Sequence, residues 1–136
     1  MKERAINLAK QWTQSSYLDQ EDRNDIQQLL DDPQKNENEI IERFYQNLEF
    51  GTGGLRNIIG IGSNRINKYN IRKAAQAMAN VALETNSSEL KACVSYDNRK
   101  FSKEFAKEVA SVFAANGIKA FIFDQLTPTP MLSYAV

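Results

Sequence analysis

Two short apolar runs on either side of an amphipathic helix constrain this chain more than any other feature. "KACVSY" at 91–96 reads as a buried strand bounded by polar turns, and "IKAFIF" at 118–123 as a second strand. Between them Ser102 opens a helical pattern with Phe105, Val109, Val112 and Phe113 at i, i+4, i+7 and i+8. Asn116-Gly117 closes it as a left-handed cap would. Strand, helix, strand is a βαβ unit, whose connection is expected to be right-handed. Ligands of open α/β sheets collect beyond the carboxyl ends of the strands. "YDNR" at 96–99 and "DQLTPTP" at 124–130 occupy those ends. The prolines of the second stiffen the approach to a further helix, with Pro130 in its first turn. An aspartate leaving a strand also organises turns or caps helices, so Asp97 carries either reading.

Upstream the periodicity is helical. Ala5, Leu8, Ala9 and Trp12 predict a helix over 2–14, and a second over about 21–30 ends at the Asp31-Asp32-Pro33 breaker. A third, from about 38 to 47, places Ile41, Phe44, Tyr45 and Leu48 on one face. Together they form an N-terminal helical extension, residues 1–48, in which Trp12, Phe44 and Tyr45 serve as packing. Asn70 is expected to cap a later helix with Ile71, Ala74, Ala75, Met78 and Ala82 inward. From residue 49 to 136 the expectation is an α/β domain, a three-layer α/β/α sandwich.

"FGTGGLRNIIGIGSNRIN", residues 50–67, lies between these parts and holds five of the six glycines. It also opens a segment, Phe50 to Leu83, with no acid but with Arg56, Arg65, Lys68, Arg72 and Lys73, whereas Asp19 to Glu49 carries ten acids against three cations. Glycines let a backbone approach a ligand closely, and an arginine among them suits an anion. The competing reading is a turn-rich connection whose cations are neutralised by the acidic segment beside it. Residue types alone leave the two level.

Several function classes fall away. The chain has no histidine, which removes imidazole acid–base chemistry and most zinc sites. A single cysteine, Cys93, rules out an internal disulfide and fits a reducing, cytoplasmic setting. No run approaches the ~18 apolar residues of a membrane span, and "MKERAINLAKQW" lacks a secretory signal. A net charge of zero and only Tyr69 as an aromatic interleaved among the cations of the basic segment argue against nucleic-acid binding. The glycines fit neither G-x-x-x-x-G-K-[ST] nor a G-x-G-x-x-G after a strand.

The ordered series "WTQSSYLDQEDRNDI", "ERFYQNLEF", "FGTGGLR", "GIGSNRIN", "SYDNR" and "FDQLTPTPMLSYAV" resembles the N-terminal domain of the α-D-phosphohexomutases, most of all the phosphoglucomutase/phosphomannomutase branch. The resemblance runs along essentially the whole chain and implies a mixed sheet within the α/β/α sandwich. It implies that hexose 1-phosphate and hexose 6-phosphate are interconverted through a phosphoserine, a hexose 1,6-bisphosphate intermediate and Mg2+. In it, Arg56 corresponds to the arginine that binds the transferring phosphoryl group, a planar fork suited to phosphate oxygens. Thr52, Gly53 and Gly54 shape the loop presenting it, and Asp97 with Arg99 supports the site from the adjacent strand end. The implied partner is a sugar phosphate, with neither nucleic acid nor membrane.

Two departures from the family pattern stand out. Asn57 occupies the position after the loop arginine where the family usually has glycine. The serine loop of the family follows the next helix and strand, beyond Val136. The expectation is therefore an incomplete domain I, inactive alone and inclined to self-associate through uncovered surfaces. The alternatives are a non-catalytic phosphate-binding module or a protein-interaction domain.

Overall fold

The computed structural model describes residues 1–85 and 89–136, which divide into two compact units, Met1–Asn70 and Ile71–Val136. The first unit begins with three helices, α1 (Lys2–Gln14), α2 (Gln20–Asp31) and α3 (Glu37–Phe44). Ala5 and Ala9, both fully buried, present α1's flat side to α3, and Leu18, Ile26, Leu29, Ile40 and Phe44 fill the core with them. Small residues permit the close approach, and the large ones supply the apolar area that holds it. Trp12 packs edge-on against Phe44 and Tyr69, at ring separations of 5.8 and 6.0 Å. The expected packing role of Trp12 and Phe44 is thus what the rings do.

α3 differs from its sequence expectation. It stops at Phe44 rather than near 47, and its buried face is Ile40, Arg43 and Phe44, with Ile41 and Tyr45 half-buried. The reason is electrostatic: Arg43 turns inward because its guanidinium is held by Glu39 and Asp25. Burial opposes the charge, but those two carboxylates outweigh it and raise the Arg43 pKa.

A short antiparallel hairpin follows, β1 (Phe50–Gly51) paired with β2 (Gly54–Leu55), joined through Thr52 and Gly53. Gly54 has φ +106°, backbone that only glycine adopts without strain. α4 (Lys68–Glu84) then begins two residues before the expected cap. Asn67 caps it, its Oδ1 accepting from the Asn70 amide at 3.0 Å. Asn70 instead sits in the first turn and donates its amide to the carbonyls of Gly62, Ser63 and Arg65. Along α4 the buried residues are Ala75 and Ala79, while Met78, expected inward, is 56% exposed.

The second unit has the predicted strand–helix–strand order. β3 (Lys91–Val94) and β4 (Lys119–Ile122) pair in parallel with Ala92 opposite Ala120, on either side of α5 (Ser102–Ala115) in sequence. Parallel pairing requires such a crossover. Ala79, Phe113 and Ile118 form the core, with Leu90, Ala92, Val94, Val109 and Ala120 against it. The end of α5 is a Schellman motif: Gly117, φ +76°, donates to Ala114 O and Ile118 to Phe113 O, both at 3.0 Å. The apolar contact between Ile118 and Phe113 completes it. α6 (Thr129–Ala135) carries Pro130 in its first turn as expected. The architecture is α/β, with an antiparallel and a parallel ladder among the described strands. No described helix is long and apolar enough to cross a membrane.

Candidate functional site

The glycine-rich stretch is divided between two jobs. Its first half, the hairpin, opens onto a cleft of about 570 Å³ lined by Glu49, Phe50, Gly51, Thr52, Gly53, Gly54 and Arg56. Its second half, 57–67, is a loop tied by hydrogen bonds to the end of α3. The two need glycine for different reasons. In the loop, a Cβ on Gly62 would stand 2.6 Å from the Arg43 carbonyl oxygen, so glycine there permits backbone to touch backbone. In the hairpin, a Cβ on Gly53 would stand 2.9 Å from a terminal nitrogen of Arg56. The guanidinium therefore lies across Gly53, on the bare backbone of the turn.

Thr52, Gly53, Gly54 and Arg56 are thus brought together in one cleft. Glu49 and Phe50 line it as well, and sequence reasoning did not single them out, because two-residue strands leave no readable alternation. Asp97 and Arg99 lie in the other unit, in the turn after β3. The Arg99 amide donates to Asp97 Oδ1 at 3.1 Å and its Nε to Oδ2 at 2.7 Å, while the Asp97 amide donates to Ser102 Oγ at 3.1 Å. Hydrogen bonding to the carboxyl, from the Arg99 amide first and the Ser102 side chain next, holds Asp97 below its ordinary pKa. The geometry is that of an Asx turn leading into α5. Tyr96, buried beside it, donates its hydroxyl to Asp124 O, and its carbonyl accepts from the Thr127 amide, so both strand-end segments are fastened to each other.

Electrostatics separate Arg56 from the cations around it in sequence. Arg65 is held by Glu42, Lys68 by Asp19 and Asp22, and Arg72 by Glu108. The hydrogen bond to Asp19, with a further one to Asp22, raises the Lys68 pKa against a smaller opposing effect of burial. Neutralisation by the acidic segment is therefore real for Arg65 and Lys68. Arg56 and Lys73 make no ion pair among the described residues, and of these two Arg56 lines the cleft. Among the described residues the exposed Arg56 guanidinium has no carboxylate partner, which leaves its N–H fork open to donate elsewhere. Among the described residues no group of three or more Cys, Asp or Glu side chains stands close enough to hold a metal ion.

Comparison with known proteins converges on the same segment. The family described as phosphoglucomutase/phosphomannomutase, alpha/beta/alpha domain I, matches residues 47–136. A phosphoglucomutase of Staphylococcus saprophyticus is 43% identical over 89 residues, 65% of this chain and 16% of that protein. One from Staphylococcus haemolyticus is 37% identical over 93 residues, 68% and 17%. One from Staphylococcus aureus strain USA300 is 38% identical over 104 residues, 76% and 18%. The chain spans about a sixth of the length of these relatives. No solved structure matches it.

Proposed function

Since the chain belongs to the phosphoglucomutase/phosphomannomutase family through its domain I, we propose that it serves as that domain in an enzyme interconverting hexose 1-phosphate and hexose 6-phosphate. In that reaction a phosphoryl group leaves a serine oxygen for a hydroxyl of the sugar monophosphate, and the hydroxyl gives up its proton. The resulting hexose 1,6-bisphosphate reorients and returns its other phosphoryl group to the serine. On this reading the serine, the sugar-binding loops and the ligands of Mg2+ belong to other parts of that enzyme, and Mg2+ would offset the charge of the transferring phosphoryl group.

Arg56 is this chain's part of the chemistry. Its planar fork donates to the non-bridging oxygens of the transferring phosphoryl group, and the glycines beneath it leave room for the phosphorylated loop to approach. Thr52, Gly53 and Gly54 hold the turn, and Asp97 with Arg99 braces the turn after β3. The observation carrying the reading is the Arg56 guanidinium lying over Gly53 in the cleft, with no ion pair among the described residues. The substrate is a phosphorylated hexose, and the lone Cys93 is consistent with cytoplasmic residence.

The test is kinetic, on the enzyme that carries this chain as domain I. Arg56→Ala is expected to lower kcat by about two to three orders of magnitude, the size of a lost transition-state charge contact. Arg56→Lys keeps the charge but not the fork and is expected to recover only part of it. Turnover within a fewfold of the unaltered enzyme in both variants contradicts the assignment.

A further inference from the structure

Asn57 directly follows Arg56, and its side chain is fully employed. Its Nδ2 donates to the Asn64 carbonyl and, at 3.2 Å, to Asn64 Oδ1, while its own Oδ1 accepts from the Ile58 amide at 2.8 Å. Asn64 is 4% exposed. Its amide donates to Arg43 O and its Nδ2 to Glu42 O, both at 3.0 Å, so it is bolted to the last turn of α3. Nearby, the Ser63 hydroxyl donates to Gln46 O at 2.6 Å and the Leu48 amide to Ser63 O at 2.7 Å. Every one of these bonds lies within the first unit. They form a continuous path from α3 through Asn64 and Asn57 to the backbone of Arg56, the next residue.

We propose that Asn57 is a positioning residue for Arg56, using the rigid end of α3 to fix the stem from which the guanidinium crosses Gly53. The inference rests on the phosphate-binding reading of Arg56. Arg56 itself has a long, exposed side chain and no ion pair among the described residues, so its aim depends on how firmly its own backbone is held. A glycine at 57 would donate nothing to Asn64 and would free two dihedrals beside Arg56. The asparagine therefore converts a flexible hinge into a clamped one. Asn57 is exposed and lies outside the apolar core, so its replacement leaves the fold in place at the modest stability cost of its hydrogen bonds.

The experiment uses the 136-residue chain with inorganic phosphate as the probe. Asn57→Gly, Asn57→Asp and Arg56→Ala are compared with the unaltered chain for phosphate affinity, melting temperature and the heteronuclear NOE of the Arg56 Nε–H. The expectation is that Arg56→Ala abolishes binding. Asn57→Gly and Asn57→Asp, which both lack the donor to Asn64, should weaken binding about three- to tenfold, the size of one or two lost hydrogen bonds. Their melting temperatures should fall by only a few degrees, leaving the chain folded at the titration temperature, and the Arg56 NOE should fall. If Arg56→Ala abolishes binding but both Asn57 variants bind as the unaltered chain does, the positioning role is overturned and the Arg56 reading stands. If phosphate binding is indifferent to Arg56→Ala, both are overturned. A purely structural role would shift melting temperature without the NOE, and that outcome also overturns the proposal.

Discussion

Gly53 and Gly54 are neighbours with opposite reasons for being glycine, and substitution should separate them. At Gly54 nothing lies within 4 Å of a built Cβ, but φ is +106°. Gly54→Ala is therefore expected to cost about 1–2 kcal/mol of stability through backbone strain alone. At Gly53 a Cβ meets only the mobile end of Arg56, which moves aside. Gly53→Ala should leave stability within about 0.5 kcal/mol yet displace the guanidinium and weaken phosphate binding. Urea unfolding and a phosphate titration on the two variants check this, and a large stability loss at 53 would show that Arg56 does not lie there. No reading of the sequence could have assigned these roles, because "TGG" looks the same whichever glycine carries the dihedral and whichever carries the contact. What the residue types did announce was the pairing of a glycine turn with an arginine.

At the scale of elements, the stretch that looked like one glycine loop is a hairpin followed by a knot of asparagines. Alternation was too short to reveal β1 and β2, two residues each, and nothing in composition distinguished a hairpin from an irregular turn. The α4 cap was misread between two asparagines three residues apart: Asn67 and Asn70 are chemically identical, and only the loop carbonyls they reach decide which one caps. The inward turn of Arg43 likewise depends on Asp25, eighteen positions away in sequence. By contrast the α5 ending was legible, since Asn-Gly before a hydrophobic residue specifies a Schellman cap locally. Gly62→Ala tests the knot. With a Cβ placed 2.6 Å from Arg43 O and φ +146°, it is expected to cost on the order of 2–4 kcal/mol, seen as a drop in melting temperature of ten degrees or more. A drop under about two degrees would mean the loop does not press on α3 as described.

At the scale of the whole molecule, the zero net charge conceals a division of labour. The acidic segment pairs with Arg65 and Lys68, whereas Arg56 makes no ion pair among the described residues, and this split is why the sequence alone could not choose between a neutralised connection and an anion site. The pairing also has a pH signature. Lys68 is raised by its hydrogen bond to Asp19, and Tyr69 is raised by burial and by donating to Asp22. A group whose folded pKa lies above its unfolded value, about 10 for both side chains, stabilises fully below that pH and loses the contribution as pH rises through the folded value. Unfolding free energy should therefore fall above about pH 10, and Tyr69→Phe should flatten part of that fall. An identical alkaline slope in the variant contradicts it.

The account turns on whether the Arg56 cleft takes a phosphoryl group, and a residue-resolved titration of the chain with glucose 6-phosphate addresses that most directly. The amides of Thr52, Gly53 and Gly54 and the Nε–H of Arg56 are predicted to shift together, saturably, and to stop doing so in Arg56→Ala. Shifts confined instead to the Arg72–Lys107 groove on α4 and α5, or no saturable shift at all, would contradict it.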